Sequence, residues 1–223
     1  MTELIAQRIA KLRQQLPAQV RLIAISKKVS VEAMREAYAA GVRDFGESRI
    51  QEAEEKITKL QDLPDLTWHL IGHLQSNKAK KALEQFQWIH SCDRLELAQR
   101  LNRLAAELSL RPQVCLQVKI LPDPSKHGWS VPQLLADLAK LEQCQALQIR
   151  GLMTILPLGL SPQESLEVFE RTRELADKIR QQNWSHLEMQ ELSMGMSSDY
   201  SLAVQAGATM IRLGRTIFGE RIT

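Results

Sequence analysis

The sequence predicts a single (β/α)8 TIM barrel with an extra N-terminal helix, one domain over residues 1–223. Three observations predict it. Short β-branched or apolar runs alternate with longer segments whose apolar residues recur every three or four positions, so strands and amphipathic helices alternate. Eight strand segments fall between Val20 and Leu213 with a helix between each pair, and repeated βα units imply a parallel sheet that closes at about eight strands. No GxGxxG follows any strand, which removes the main support for an open doubly wound sheet.

The elements follow in order. Ile5, Ile9, Leu12 and Leu16 share one face of the first helix. VRLIAIS (20–26) is the first strand, and VEAMREAYAA is a helix stopped by Gly41. DFGE is a short second strand, followed by a helix with Ile50, Ala53, Ile57 and Leu60 on one side. TWHLIG is strand three, NKAKKALEQF a helix, and WIHSC strand four. Leu97, Leu101, Leu104, Ala105 and Leu108 form the next helical stripe. VCLQVKI is a buried fifth strand, and the helix after it carries Pro132 in its first turn, where proline is tolerated. IRGLMTI is strand six, SPQESLEVFERTRELADKIRQQ a long helix, and LSMGM strand seven. SSDYSLAVQAG reads as a Ser-capped helix ending at Gly207, and TMIRLG as the last strand. TIFGERIT is too short for a full eighth helix, so the N-terminal helix is expected to fill that gap.

Composition narrows the function classes. Lys and Arg total 29 against 26 Asp and Glu, a formal charge of +3 with the signs interspersed. That excess is too weak and dispersed to predict nucleic-acid binding. No apolar run reaches the roughly 18 residues of a membrane span. The first 16 residues have the pattern of an amphipathic helix rather than of a secretory signal. Three cysteines without CxxC spacing (Cys92, Cys115, Cys144) fit reduced thiols, and a cytoplasmic location is expected.

In such a barrel the chemistry sits where the strands end. The loops after strands seven and eight often bind phosphate there. Here Ser197 and Ser198 offer hydroxyls and backbone N–H groups, while Gly214 allows close backbone approach beside Arg215 and Thr216. Each feature alone also fits a plain cap or turn, but their joint placement favours an anion. Lys27 emerges from the buried run Leu22–Ile25 at the barrel mouth, and an amine in a partly apolar setting attacks carbonyls. A lysine opposite a phosphate cradle suggests a phosphorylated aldehyde bound as a Schiff base, namely pyridoxal 5'-phosphate (PLP). Arg212, two residues before Gly214, shares its side of the last strand and can donate to a pyridine nitrogen. The pattern equally fits an outward arginine paired with a helix carboxylate. His69 and His73 are four apart, but on a strand-to-loop stretch without a third ligand, so no metal is expected. Lys78, Lys80 and Lys81 read as a solvated face, and Cys92 as core.

These residues carry a resemblance. AISK (24–27), FGES (45–48), WHLIGHLQSNK (68–78), GLMT (151–154), LSMGMSSD (192–199) and IRLGRTIFG (211–219) resemble the pyridoxal-phosphate homeostasis family, also known as the YggS or PROSC family. The matches run in order through nearly the whole chain. The resemblance implies a barrel like the N-terminal domain of alanine racemase, with PLP on Lys27 rather than Lys28. It implies Arg212 facing the pyridine nitrogen, a phosphate cradle of Ser197, Gly214 and Thr216, and Met153 and His69 among the cofactor-binding residues. Ser48 stands where the family usually has Asn, and Lys28 where Thr is common.

The same residues argue for a carrier over an enzyme. Racemisation needs acid–base groups on both faces of the substrate carbon, and neither Tyr38 (mid-helix) nor Tyr200 is an obvious second base. An arginine, with its pKa above about 12, does not protonate the ring and leaves it a weak electron sink. The expected role is PLP holding and vitamin B6 and amino-acid homeostasis, by a monomer, with PLP-requiring apoenzymes as recipients. The rivals are a racemase-like PLP enzyme and a phosphosugar-handling barrel.

Overall fold

A computed structural model describes residues 4–219. Its strands are β1 (Arg21–Ile25), β2 (Asp44–Glu47), β3 (Thr67–Leu70), β4 (Trp88–Cys92), β5 (Gln113–Lys119), β6 (Trp129–Ser130), β7 (Gln148–Met153), β8 (Leu187–Ser193) and β9 (Met210–Leu213). All pairings are parallel, and β9 pairs with β1 while β4 pairs with β5, so the sheet closes on itself. The two-residue β6 lies outside the ring, paired only with the end of β5. The barrel predicted from the alternating pattern is therefore present.

The helices are α1 (Ile5–Gln15), α2 (Val31–Ala39), α3 (Ile50–Lys59), α4 (Ala79–Gln85), α5 (Leu95–Glu107), α6 (Val131–Leu141), α7 (Pro162–Arg180), α8 (Tyr200–Gln205) and α9 (Arg215–Phe218). Local chemistry starts several of them. Ser130 and Ser161 form capping boxes with Gln133 and Glu164, each with proline in the first turn, and Ser30 caps α2. The last helix is a single turn, and α1 packs between it and α2, closing the helical ring as expected. No helix among the described residues is long and apolar enough to cross a membrane.

Strand alternation splits the core into two shells. Outward residues such as Ala24, Phe45, Leu70 and Ile89 pack under the helices in the larger shell. Inward residues Ile23, Ile25, Trp88, Cys115, Met153 and Met210 fill the barrel. Cys92, Cys115 and Cys144 are all buried, and burial pushes the Cys92 and Cys115 thiols far above their ordinary range.

Among the boundaries that differ from the sequence reading, two have a cause in named side chains. β8 begins at Leu187, five residues before the predicted run at Leu192. Its first half is LEMQE, where buried Leu187 and Met189 alternate with polar Glu188 and Gln190 before Glu191 breaks the pattern ahead of Leu192; Glu188 is taken up by Arg150 of β7. The second difference is the start of α8, at Tyr200 with Asp199 as its N-cap, rather than a helix opened by Ser197 and Ser198. Asp199 Oδ1 accepts the Met196 N–H at 2.7 Å, and this closes a turn over 196–199 before the helix can begin.

Candidate functional site at the barrel mouth

Alternation along β1 points Ile23 and Ile25 inward, and residue 27 follows at the same parity in the turn past the strand's end. Lys27 is half-buried on a turn, and among the described residues no hydrogen bond or ion pair occupies its ammonium. Its neighbour Lys28 is exposed and holds a left-handed φ of 57°. That strained turn is clamped from outside the barrel. Lys56 of α3 donates to the Ser26 carbonyl at 2.6 Å, to Glu47 at 2.7 Å and to Glu52 at 2.8 Å. Ser26 Oγ donates to Glu47 at 2.7 Å, and the Lys28 N–H donates to Glu52. Burial pushes the Glu47 carboxyl above its usual range against the pull of Lys56. For Glu52 burial also opposes ionisation, but the bonds from Lys56 and the Lys28 N–H win and lower its pKa.

At the end of β1 a cavity of about 220 Å³ opens, walled by Ile25, Ile71 and Ile155 and rimmed by Met196, Ser197, Ser198, Gly214 and Arg215, with Arg212 inside it. Gly195, at φ 93°, turns the chain into this rim; a Cβ there would lie 2.6 Å from the Ala203 Cβ. Thr216 stands in the first turn of α9, where the N–H groups of Arg215 and Thr216 have no intrahelical acceptor. Of the predicted set, the cavity gathers Arg212, Ser197 and Gly214. Met153 is fully buried in the barrel filling rather than on the cavity wall.

Arg212 points inward and is 4% exposed, so the outward alternative does not hold. It donates to Ser193 Oγ at 2.7 Å and to the Thr154 carbonyl at 2.9 Å, both neutral acceptors. Burial pushes its pKa down to about 10, below the range expected of a free guanidinium, and it stays a cation at neutral pH. His69 is not on the cavity. It is fully buried in the barrel, with Nδ1 2.9 Å from His90 Nε2 and Nε2 2.9 Å from Asp44 Oδ1. His90 Nδ1 in turn lies 2.7 Å from Ser193 Oγ. Burial lowers the pKa of both histidines, so both are neutral at pH 7. His73 goes elsewhere, pairing with Asp93 at 2.9 Å and stacking on His127 at the mouth.

Sequence reasoning missed Lys56, Glu47, Glu52, Asp44, His90 and Ser193. For His90 a signal existed: it stands two residues after Trp88 in a wholly buried strand, so a polar ring had to face the barrel interior. Lys56 offered none, because a lysine in an amphipathic helix normally faces water.

Comparison with known proteins agrees with this geometry. Residues 2–222 match the family model described as alanine racemase, N-terminal domain. The chain is 53% identical over 207 residues to the pyridoxal phosphate homeostasis protein of a Synechocystis strain, covering 93% of this chain and 94% of that protein. The protein of the same name from Pseudomonas aeruginosa is 44% identical over 206 residues, covering 92% and 86%. Solved structures of PipY from Synechococcus elongatus superpose with a TM-score of 0.94 without PLP (57% identity) and 0.92 with PLP bound (56% identity), each covering 96% of this chain and all of that one. Alanine racemase of Clostridium difficile shares the fold at 14% identity, with a TM-score of 0.79.

Proposed function

From a chain that belongs to the pyridoxal phosphate homeostasis family and carries an alanine racemase N-terminal domain, we propose that this protein binds PLP at the barrel mouth and serves vitamin B6 and amino-acid homeostasis by holding it rather than by catalytic turnover. One observation carries the reading. The buried Arg212 of β9 lines one cavity together with Ser197 and Gly214, and Lys27 stands in the turn just past the end of β1 with no hydrogen bond or ion pair on its ammonium among the described residues.

The residues fit the group. Lys27 supplies the amine for a Schiff base, with the clamped turn holding its backbone. Ser197, Gly214 and Thr216, with the first N–H groups of α9, suit a phosphate. Arg212 would face the ring nitrogen as a cation at neutral pH, and the isoleucine walls suit an aromatic ring. Bound there, PLP supplies an aldehyde that exchanges between amines. Because Arg212 donates and does not yield its proton at neutral pH, the ring gains little electron-withdrawing power, which favours holding over carbanion chemistry. Met153 fills the barrel interior with Ile25 and Cys115, and His69 acts only through the residues it bonds. The protein works as a cytoplasmic monomer and hands PLP to PLP-requiring apoenzymes.

The test is the visible spectrum of the purified protein before and after borohydride, with peptide mapping of the labelled lysine. A visible band that borohydride removes, with the label on Lys27, supports the assignment. A colourless protein that binds other phosphates equally well sinks it.

A further inference from the structure

A single line of hydrogen bonds crosses the inside of the barrel from one end to the other. It runs from Arg212 of β9 to Ser193 of β8 (2.7 Å), to His90 of β4 (2.7 Å), to His69 of β3 (2.9 Å) and to Asp44 of β2 (2.9 Å). The three central residues are fully buried. Asp44, with 21% of its side chain exposed, lines a second cavity of about 440 Å³ at the N-terminal ends of the strands.

Donor and acceptor chemistry fixes the direction of every bond. A guanidinium only donates and an ionised carboxylate only accepts. Arg212 donates to Ser193 Oγ, leaving the hydroxyl hydrogen for His90 Nδ1. His90 then carries its hydrogen on Nε2 and donates to His69 Nδ1, and His69 donates from Nε2 to Asp44. With neutral imidazoles, all four bonds are satisfied only when both rings are Nε2–H tautomers.

A proton on His69 reverses the line. His69 Nδ1–H would donate to His90 Nε2, moving the His90 hydrogen to Nδ1, so that His90 and Arg212 both donate to Ser193 and the hydroxyl loses its acceptor. Burial opposes that ion. So does Arg21 of β1, 3.9 Å from Asp44 and stacked over Trp88. Asp44 favours it, Arg212 acts against a proton on His90, and the Cys115 thiol of β5, which Glu191 of β8 also faces, is held neutral by burial.

We propose that Asp44, His69, His90 and Ser193 are positioning residues that hold the Arg212 guanidinium in one orientation at the mouth and couple its hydrogen bonding to a carboxylate at the opposite end of the barrel. Where Arg212 meets the cofactor ring, which rests on the function proposed above, the line sets the hydrogen bond that the ring receives.

The first measurement needs no cofactor. Nitrogen NMR of histidine-labelled protein should show His69 and His90 as neutral Nε2–H tautomers. Asp44→Asn keeps the shape but removes the charge that dictates direction, so the His90 nitrogens should shift although Asp44 does not touch that ring. An Nδ1–H tautomer of His90 in the wild type, or His90 shifts unchanged in D44N, overturns the proposal. Should D44N not fold, Ser193→Ala reads the line from the other end: the His90 Nδ1 resonance should move while His69 keeps its Nε2 hydrogen, and an unchanged His90 overturns it. The second measurement adds PLP. D44N should weaken binding about threefold to tenfold, on the scale of one altered hydrogen bond, and displace the absorption band, while Asp65→Asn on the protein surface changes neither. Identical affinity and band in D44N and a PLP-binding wild type overturn the coupling. A wild type that binds no PLP overturns the proposed function instead and leaves the histidine result to decide the line.

Discussion

Lys56 of α3 places its ammonium 2.6 Å from the carbonyl oxygen of Ser26, the residue immediately before Lys27. Its side chain is 9% exposed and the Glu47 it pairs with is fully buried, so the pair is shielded from solvent and directly braces the turn that presents the candidate lysine. Removing one partner of a buried pair strands the other charge. Lys56→Met should therefore cost about 3–5 kcal/mol of stability, measured by urea unfolding, and slow the growth of the PLP absorption band at Lys27. A change below about 0.5 kcal/mol would show that the clamp does not brace the turn.

Lys27 and Lys28 separate by parity and by exposure. Lys27→Ala should abolish the borohydride-sensitive band, whereas Lys28→Ala should keep it, since Lys28 is exposed on the turn and only its backbone is engaged. Loss of the band in Lys28→Ala alone would place the register at the end of β1 wrongly.

Phosphate is expected to supply most of the anchoring. Lost charge-assisted hydrogen bonds cost about 1.5–3 kcal/mol each, so Ser197→Ala should raise the dissociation constant of PLP about tenfold or more, and pyridoxal without phosphate should bind poorly. Equal affinity for pyridoxal and PLP, by equilibrium dialysis, would refute this.

A carrier should exchange amines without labilising the α-proton. Holo-protein incubated with L-alanine in deuterated water should exchange the α-hydrogen no faster than free PLP does, followed by proton NMR. Exchange on the order of 1 per second or faster would establish a racemase-like enzyme.

The buried histidines set an acid limb to stability. His69 and His90 have folded pKa values below the ordinary 6.5, so the unfolded chain takes up protons first as pH falls. Their contribution is complete above pH 6.5 and is lost below it, at up to about 1.4 kcal/mol per pH unit for each ring. Glu47, whose folded pKa is raised, acts in the opposite sense above its ordinary 4.5. His90→Gln should therefore flatten the fall in stability between pH 6.5 and 5 relative to wild type. An unchanged slope would mean that His90 is not held neutral.

Period-two and period-three-to-four patterns, carried locally by each segment, were enough for the barrel, the order of its elements and the parity of β1. The sequence also marked Lys27, Arg212, Ser197 and Gly214, since a strand end and a glycine loop are local features too. It left the facing of Arg212 open, because one arginine in a short apolar strand fits either side. It misplaced the start of α8, where Asp199 closes a turn on Met196 N–H that the Ser-Ser pair conceals. The remaining partnerships are made by barrel closure. Ser193 lies 103 residues from His90, and they meet because the closed barrel directs the inward side chains of β4 and β8 into one shared interior. Lys56 is buried because α3 seats its ammonium against the ends of β1 and β2. Such contacts depend on the register and stagger of strands that closure alone imposes, and no local period in the chain encodes them.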